Sequence, residues 1–492
     1  MNKLKKRTIG FHILIAAAVA LCGGIASAIA LYIRGVQLTT AVPAEQYRTE
    51  TLSSGIAPNV AFHTPNHEGG GGFFYVPSLA ALAPCTRHIP QPPAPAARSA
   101  VLIDAASGAL LFEKNPDQSI PPASLTKLVA IYTAMQAVER GEISLTDTVT
   151  PPREAWAVNM PPGSSLMFLG QNQKVSVEEL LLGMSVVSGN DAAVALAVHT
   201  AGSVPAFVER MNKAIAALGL RNTHFEDSNG LSEYNYTTAR DFARFSAVYV
   251  KKYPDHLQRF HSVREFSYPQ PHNMLTPQTV IRQPATNTLL SALDGCDGIK
   301  TGFIYESGFN IALTAQRNGI RFIAVILGGA GKNSREGKTI REQNGTTLME
   351  WAFSHFATVY ARDFPLQAAP VPVIGAQEQA NRTALLAQLS HPDGNNAAFT
   401  VPLSGKDFTY DTAAIHTRIL LPLVLSAPIT AGQKIGRVQF WMETEDGERL
   451  LAEFPLVADK ELKRGSRFRW KYDSLALKFR RFLRHEKRTG AS

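Results

Sequence analysis

The sequence predicts an α+β fold in which one antiparallel sheet is assembled from both ends of a domain, with a helical lobe inserted between them. The first observation is a hairpin pattern over 100–115, where two apolar runs flank a turn at Ser107-Gly108. The second is a helical periodicity that continues to about residue 252. The third is the return of strand patterns at Gly298, followed by a predicted helix over 342–355.

The helical lobe carries clear signals for helix ends. Ser176 and Glu179 form a capping-box pattern, which predicts a helix that continues to about Val187. The tripeptide Ser188-Gly189-Asn190 interrupts this helix, and the next helix is expected to begin at Asp191. A short break of this kind presents side chains at the surface of the lobe.

The returning strands are followed by a second strand-rich region. Strands predicted over 310–314 and 320–327 flank Asn318-Gly319, a dipeptide that strongly favours a two-residue hairpin turn. After about Asp363 the pattern changes to short alternating strands, with another hairpin signal at Asp446-Gly447. This region carries no catalytic grouping, so we expect a small all-β domain that acts as a spacer.

Charge and composition restrict the class of partner. The chain has 492 residues and a formal net charge of +9. The positive charge is concentrated at the two ends, in residues 3–7 and 463–488. This distribution suits anionic lipid better than a nucleic-acid-binding face. The sequence contains no zinc-finger, helix-turn-helix or RNA-binding signature, so no nucleic acid is expected.

The N-terminal segment is predicted to contact a membrane. Residues 1–8 are basic, and Ile9 to Ile33 contains no formally charged residue. Such a run is long enough to cross a bilayer, and the basic flank places the N-terminus in the cytoplasm. A signal peptide is the alternative, because Ala26-Ser27-Ala28 resembles a cleavage site. In either case the remaining chain is exported.

The C-terminal tail, 465–492, is a second candidate for membrane contact. It is basic and aromatic, and its apolar residues share one face of a predicted helix, namely Tyr472, Leu475, Phe479, Phe482 and Leu483. This pattern is typical of an amphipathic helix that lies in the membrane interface. A solvated helix or an unstructured tail is the alternative.

No metal or cofactor site is expected. The three cysteines, Cys22, Cys85 and Cys296, form no Cys-x-x-Cys pair. A Cys85–Cys296 disulfide is compatible with a location outside the cytoplasm. His63, His67 and Glu68 lie in a Gly- and Pro-rich stretch, where nothing would hold metal ligands rigid.

A candidate nucleophile lies at the start of the helical lobe. Ser124 follows Pro121-Pro122 and begins a run with helical apolar spacing, so it is expected at a helix N-terminus. Lys127 lies three residues later, on the same helical face. A neutral lysine beside a serine hydroxyl can accept its proton, but only if burial or nearby cations lower the lysine pKa. Taken alone, the pair also fits an N-cap serine followed by a solvated lysine.

Two further motifs favour the catalytic interpretation. Ser188-Gly-Asn190 interrupts the lobe, and Lys300-Thr301-Gly302 lies on a predicted edge strand. Similar trios occur in penicillin-binding proteins and class A β-lactamases. With the longer phrases Pro122-Ala-Ser-Leu-Thr-Lys127 and Asp297-Gly-Ile-Lys-Thr-Gly302, the chain resembles the low-molecular-mass penicillin-binding proteins, the serine D-Ala-D-Ala carboxypeptidases of peptidase family S11. The resemblance covers about residues 98–464.

The resemblance implies a fold, a reaction and a set of site residues. The fold would be that of the serine β-lactamases and transpeptidases, followed by a small all-β domain. The reaction would remove the terminal D-alanine from a peptidoglycan stem pentapeptide through an acyl-enzyme, with β-lactams as covalent inhibitors. The implied catalytic residues are Ser124, Lys127, Ser188 and Asn190, and the implied substrate-binding residues are Lys300, Thr301, Gly302 and Phe303. Relatives often have histidine in place of Phe303, which leaves a role for this side chain open.

Three rival functions remain at this stage. A β-lactamase is disfavoured, because the Glu-x-x-Leu-Asn phrase is absent and Gly189 replaces the expected aspartate; Glu226-Asp-Ser-Asn229 is a partial echo of that phrase. A D,D-endopeptidase that cuts peptidoglycan cross-links uses the same chemistry. A non-catalytic wall-binding morphogenesis protein is disfavoured, because it would not require the four intact residues Ser124, Lys127, Ser188 and Lys300.

The sequence therefore predicts five segments and a place in the bacterial cell envelope. The catalytic part would lie on the extracytoplasmic side, associated with the membrane. The predicted segments are an anchor or signal sequence over 1–33, a linker over 34–98, the carboxypeptidase domain over 99–362, the β-rich domain over 363–464 and the tail over 465–492.

Overall fold

The structure is a computed structural model that describes residues 89–275, 278–364, 370–377, 384–390, 396–403, 415–422, 424–444 and 447–476. These residues form two compact units. The first unit contains the described chain up to Tyr360 together with 398–403, and the second contains the other described residues from Ala361 onward. The predicted anchor over 1–33, Cys85 and the tail beyond residue 476 lie outside the described residues.

The first unit contains six helices of eight or more residues. They are α1 Thr126–Glu139, α2 Val177–Val186, α3 Asn190–Ala201, α4 Val204–Ala217, α5 Ala239–Lys252 and α6 Ser334–His355.

The strands are numbered along the chain. Those before residue 361 are β1 Ala97–Asp104, β2 Leu110–Lys114, β3 Thr148–Val149, β4 Val175–Ser176, β5 Glu265–Tyr268, β6 Ile281–Pro284, β7 Cys296–Ile304, β8 Gly308–Arg317, β9 Ile320–Gly329 and β10 Phe356–Tyr360. Those after it are β11 Val371–Ile374, β12 Ala384–Leu385, β13 Ala387–Leu389, β14 Ala398–Pro402, β15 Ile415–Leu420, β16 Leu425–Ser426, β17 Lys434–Thr444 and β18 Gly447–Ala458.

The central sheet joins the two ends of the first unit, as the sequence predicts. Its five antiparallel strands follow the order β2-β1-β9-β8-β7, so the N-terminal hairpin pairs with the strands that return after the helices. The Asn318-Gly319 turn joins β8 to β9 with φ angles of 50° and 80°, the left-handed conformation that this dipeptide favours. Strand β7, which carries Lys300, is one of the two edge strands. The predicted α+β class is confirmed.

Each face of the sheet supports a separate apolar core. Val101, Ile103 and Val325 point towards the helical lobe and pack with residues of α1, α3 and α5. The alternate residues Leu102 and Ala324 point the other way and pack with α6. This alternation is the period-2 geometry of a strand whose two faces are both covered. The sheet is therefore packed between the helical lobe and α6.

Helix α1 is buried on nearly every side. Eleven of its residues are buried, including Thr126 and Lys127. A helix that is buried all round belongs to the centre of a core rather than to its surface. The first turn of α1, which follows Ser124, is therefore held in place by the packing of the whole lobe.

The second unit is built mainly from antiparallel strand pairs, and β11 and β16 pair in parallel. Strands β17 and β18 form a long hairpin, flanked by β15 and β13 in the sheet order β13-β18-β17-β15. A smaller sheet contains β12, β11 and β16. Residues 467–476 form a helix, and the amide of Gly375 donates a 2.9 Å hydrogen bond to the buried carboxylate of Asp473 in that helix.

Two predicted segment boundaries differ from the structure. The predicted β-rich domain includes 398–402, but β14 pairs with β10 and belongs to the first unit. The predicted linker extends to residue 98, but Ile89 is buried and the Trp351 indole donates a 2.7 Å hydrogen bond to the Pro90 carbonyl. The alternation of apolar and polar residues and the proline content predict the local conformation of a segment. They do not predict which surface the segment packs against.

The last helix of the first unit also differs from its prediction, because α6 begins at Ser334 rather than near residue 342. The Asn333 side chain accepts a hydrogen bond from the Glu336 amide and caps its N-terminus. Within the described residues, no single helix is both long and apolar enough to cross a membrane; α3 and α4 pass that test only jointly, as a pair bent by 85°.

Candidate active site

Ser124 lies in a short 3-10 turn, Ala123–Leu125, that leads directly into α1. Ala123 has a φ of 52°, which is uncommon for a residue with a side chain. The Pro121 carbonyl accepts a 3.0 Å hydrogen bond from the side-chain amide of Asn310 on β8. The turn that carries Ser124 is thereby fixed to the central sheet.

Lys127 is fully buried and makes three hydrogen bonds. Its amine donates to the Ser124 hydroxyl at 3.0 Å, to the Asn190 side-chain oxygen at 2.6 Å and to the Asn229 carbonyl at 2.5 Å. Burial lowers the pKa of Lys127 to about 7, although the charges of Asp227 and Asp191 oppose this shift. Lys127 can therefore be neutral near neutral pH, and a neutral amine can accept the serine proton.

The Ser188-Gly-Asn190 break presents Asn190 to this lysine. Ser188 has a φ of 63°, and Asn190 is the first residue of α3. A Cβ atom on Gly189 would lie 2.9 Å from Oδ1 of Asp191 and 3.0 Å from Cβ of Met167. The local packing thus explains why glycine occupies the position where β-lactamases carry aspartate.

Asp191, expected from the sequence only as the start of a helix, also supports the site. It is fully buried, and its carboxylate accepts hydrogen bonds from the backbone amides of Met167, Phe168 and Leu169 at 2.8–2.9 Å. Burial raises the pKa of Asp191, and these amide donors oppose the increase. Asp191 fastens the 164–169 loop to the start of α3, beside Asn190. The only sequence signal is its position directly after the Ser188-Gly-Asn190 motif.

A second loop closes the other side of Lys127. The Asp227 carboxylate accepts hydrogen bonds from the amides of Gly230 and Ser232 and from the side chain of Asn235, all at 2.7–2.8 Å. This arrangement presents the Asn229 carbonyl to Lys127. In the sequence, residues 226–229 show only a partial echo of a β-lactamase phrase.

Gly230 allows this loop to approach the serine. Its φ is 85°, and a Cβ atom there would lie 2.0 Å from the Ala123 carbonyl oxygen and 2.9 Å from the Ser124 amide nitrogen. No side chain fits in that space. The glycine is required by the backbone of the nucleophile turn.

The edge strand β7 brings Lys300, Thr301 and Gly302 to the same place. A Cβ atom on Gly302 would lie 3.0 Å from the Ser124 amide nitrogen, so the strand passes directly beside the serine. The amine of Lys300, a buried residue, donates to the Thr301 carbonyl at 2.9 Å. Burial lowers the pKa of Lys300 well below its ordinary value, and the charges of Lys127 and Arg341 contribute in the same direction.

Arg341 is a further cation that no sequence motif marks. It lies on α6, is 4% exposed, and donates a 3.4 Å hydrogen bond to the Thr286 carbonyl. The Thr286 hydroxyl in turn accepts a 3.0 Å hydrogen bond from Thr301. Burial lowers the pKa of Arg341 to about 10, so it remains charged at neutral pH. The region behind Thr301 therefore carries a positive potential that favours an anion.

The eight residues expected from the sequence lie on three neighbouring elements. Ser124 lies in the turn that precedes α1 and Lys127 in the first turn of α1. Ser188 and Asn190 lie at the α2–α3 break, and the four residues 300–303 lie on β7. Direct hydrogen bonds join Lys127 to Ser124 and to Asn190. In the part of the chain that the structure describes, no group of three His, Cys, Asp or Glu residues has the geometry to hold a metal ion.

Comparison with known proteins identifies similar sequences. Residues 86–331 match the family model of the S11 peptidases, described as D-alanyl-D-alanine carboxypeptidase. The chain is 35% identical over 359 residues to D-alanyl-D-alanine carboxypeptidase DacA of Haemophilus influenzae, an alignment that covers 72% of this chain and 83% of that protein. It is 32% identical over 423 residues to DacC of Escherichia coli, covering 84% and 96% respectively.

Solved structures with a similar fold include two penicillin-binding proteins. Penicillin-binding protein 5 of Haemophilus influenzae aligns with a TM-score of 0.64 and 32% identity, over 76% of this chain and 100% of that chain. Penicillin-binding protein 6B of Escherichia coli aligns with a TM-score of 0.56 and 29% identity, over 75% and 98% respectively. In both cases the similarity extends well beyond the segment that the family model matches.

Proposed function

The chain belongs to the S11 family of serine D-alanyl-D-alanine carboxypeptidases, and we propose that it removes the terminal D-alanine from peptidoglycan stem pentapeptides. The observation that carries this proposal is the contact between the buried Lys127 amine and the Ser124 hydroxyl, 3.0 Å apart. A buried lysine with a pKa of about 7 is suited to general-base catalysis at neutral pH.

The first half of the reaction forms an acyl-enzyme. Lys127 accepts the hydroxyl proton as Ser124 attacks the carbonyl between the last two D-alanines. The amides of Ser124 and Phe303 stabilise the oxyanion, each contributing about 3–4 kcal/mol. The close packing of Gly302 against the Ser124 amide nitrogen supports this pairing of donors.

The leaving amine then needs a proton. Ser188 relays to this amine the proton that Lys127 accepted from Ser124, so that Lys127 is neutral again. Asn190 orients the lysine through the 2.6 Å hydrogen bond from Lys127 to its side-chain oxygen. D-Alanine leaves with a neutral amino group, which then takes up a proton from the solvent. Water subsequently hydrolyses the ester on Ser124 and returns the enzyme to its starting state.

The substrate carboxylate is bound by the positive end of the site. Lys300 and the Thr301 hydroxyl contact it, and the buried Arg341 adds to the positive potential behind Thr301. Charge-assisted hydrogen bonds to a carboxylate are among the stronger polar contacts in proteins. β-Lactams carry a carboxylate and a reactive amide, and we propose that they acylate Ser124 in the same way.

Mass spectrometry of a purified stem pentapeptide tests this function. Incubation with the protein should convert it to the tetrapeptide and free D-alanine, and Ser124→Ala should not. A cross-linked peptide dimer in a parallel reaction distinguishes the endopeptidase alternative, because cleavage of the dimer without trimming of the pentapeptide would replace our proposal. A protein that leaves both substrates intact would fit the non-catalytic alternative.

We further propose that the protein acts at the outer face of the bacterial cytoplasmic membrane. Its relatives are named as penicillin-binding proteins and D-alanyl-D-alanine carboxypeptidases, whose substrate class lies in the cell wall. The apolar run over 9–33 and the basic aromatic tail support attachment at both ends.

A further inference from the structure

An exposed aromatic cluster lies next to the candidate active site, and the proposed reaction does not use its side chains. Phe303 is 40% exposed and Tyr305 is 92% exposed, whereas Phe309 behind them is buried. The ring of Phe303 lies 5.3 Å from that of Tyr305 and 4.5 Å from that of Phe309, measured between centroids. Large apolar groups held in water beside a reaction centre are typical of a binding surface.

The aromatic cluster packs against residues of β8 and α6, so its position is fixed by regular secondary structure. Phe303 and Phe309 are direct cross-strand partners in the β7–β8 pair, so their side chains share one face of the sheet. The Phe309 ring lies against Gly337 of α6, where a Cβ atom would come within 1.9 Å of it. A glycine on the helix therefore gives room to the ring that supports Phe303.

The turn that carries Tyr305 is fixed as well. The Arg98 guanidinium donates hydrogen bonds to the carbonyls of Glu306 and Ser307, at 3.2 Å and 2.7 Å. The buried Asn310 side chain donates to the Ser307 hydroxyl at 3.2 Å and to the Pro121 carbonyl at 3.0 Å. The side-chain amide of Asn310 thus links the turn that carries Tyr305 to the turn that carries Ser124, and it fixes the position of one relative to the other.

The position of the cluster indicates which part of a substrate it would touch. Side chains two residues apart on a strand point to the same face, about 7 Å apart. The side chains of Phe303 and Thr301 therefore lie on the same face of β7. Thr301 is one of the two residues that contact the terminal carboxylate in the proposed function. The carboxylate and the side chain of the leaving residue are both attached to its α-carbon. When Thr301 binds the carboxylate, the side chain therefore lies close to Phe303.

Resting on the proposed function, we infer that Phe303 and Tyr305 form an apolar subsite for the side chain of the leaving D-amino acid, and that it takes residues larger than D-alanine. D-Alanine offers a single methyl group, which covers little of two exposed rings. A branched aliphatic side chain covers more of this surface and removes more apolar area from water. The reaction is unchanged: the same amide bond is hydrolysed, and only the leaving residue differs.

The test compares two peptides that differ only in the last residue, D-alanine or D-leucine, with the full chain in detergent. Mass spectrometry of the released amino acid gives kcat/KM for each peptide. A change that affects the hydrolysis of both peptides equally does not alter the ratio of the two kcat/KM values. The wild-type protein should hydrolyse the D-leucine peptide readily. Phe303→Ala, which keeps the backbone amide, should lower the ratio of D-leucine to D-alanine about tenfold, and Phe303→Tyr should restore it.

Two further variants make the result decisive. Tyr305→Ala alters a fully solvated side chain and should lower the same ratio, even if Phe303→Ala folds poorly. Phe468→Ala removes a phenylalanine that is 82% exposed in the second unit, and it should leave the ratio unchanged. A wild-type ratio in both Phe303→Ala and Tyr305→Ala overturns the subsite while D-alanine release still supports the carboxypeptidase. A wild-type protein that releases neither amino acid overturns both.

Discussion

The amine of Lys127 lies 3.0 Å from the hydroxyl of Ser124, in a site that excludes water from the lysine. The two residues are separated by one helical turn, and the lysine is also held by Asn190 and by the Asn229 carbonyl. Three elements from different parts of the chain thus fix one proton acceptor beside one nucleophile. This relationship leads to most of the predictions below.

The pH dependence of acylation should report the lysine. Burial lowers the pKa of Lys127 to about 7, and only the neutral amine can accept the serine proton. The rate constant for acylation by a β-lactam should therefore rise about tenfold per pH unit below about pH 6 and level off above about pH 8. Stopped-flow measurement with a chromogenic cephalosporin checks this, with circular dichroism confirming that the fold persists over the range. A rate that keeps rising towards about pH 10 would mean that Lys127 titrates as an ordinary lysine.

A matched pair of glycine variants should test the loop that closes the site. Gly230→Ala places a Cβ atom against the Ala123 carbonyl and also strains a φ of 85°. Gly219→Ala strains a similar φ of 72° but meets nothing within 4 Å. Urea denaturation should show a loss of more than about 3 kcal/mol for the first variant and about 1 kcal/mol for the second. Equal losses would show that backbone strain alone acts, and that the contact with the nucleophile turn is unimportant.

Lys300→Ala should affect recognition of the substrate carboxylate. We expect kcat/KM to fall at least about a hundredfold for a peptide with a free terminal carboxylate. The corresponding terminal amide, a poor substrate from the outset, should lose much less. The melting temperature should be measured beside the kinetics, because truncating the buried Lys300 side chain also leaves a cavity that lowers stability. The same loss for both peptides would rule out a role for Lys300 in carboxylate binding.

The tail should contribute reversible binding to anionic membranes. The structure describes its helix to residue 476, where Asp473 is bonded to the Gly375 amide, so a truncation after 476 keeps this packed part. We expect a chain of residues 89–492 to sediment with anionic vesicles at low salt and to be partly released at high salt. The chain ending at 476 should stay in the supernatant. Vesicle binding by both chains would assign the contact to another surface, and binding by neither would leave the N-terminal segment as the sole anchor.

Much of the fold follows from local sequence patterns. The N-terminal hairpin, the capped helix before Ser188 and the Asn318-Gly319 turn were all predictable, since each depends on residues close together in the chain. The pairing of the first hairpin with the returning strands also followed from the order of the elements. Helical spacing predicts that Lys127 faces Ser124, and the two side chains are hydrogen-bonded.

The supporting residues of the site could not be predicted in this way. Asn229 and Lys127 are 102 positions apart in the chain. No pattern in the sequence around either residue predicts that they are in contact. Asp191 and Arg341 act through buried contacts to loops and carbonyls, which leave no periodic pattern. The role of the Phe303 side chain was not predictable, because its neighbours Tyr305 and Phe309 come together only in the folded β7–β8 pair.

Intact-protein mass spectrometry with benzylpenicillin tests most directly whether Ser124 is the nucleophile. The wild-type protein should gain the mass of one penicillin, and the adduct should map to the peptide that contains Ser124. Ser124→Ala should gain no mass, although its fold is expected to persist because the side chain is small and half-buried. A wild-type adduct on another residue, or labelling that survives in Ser124→Ala, would contradict the account.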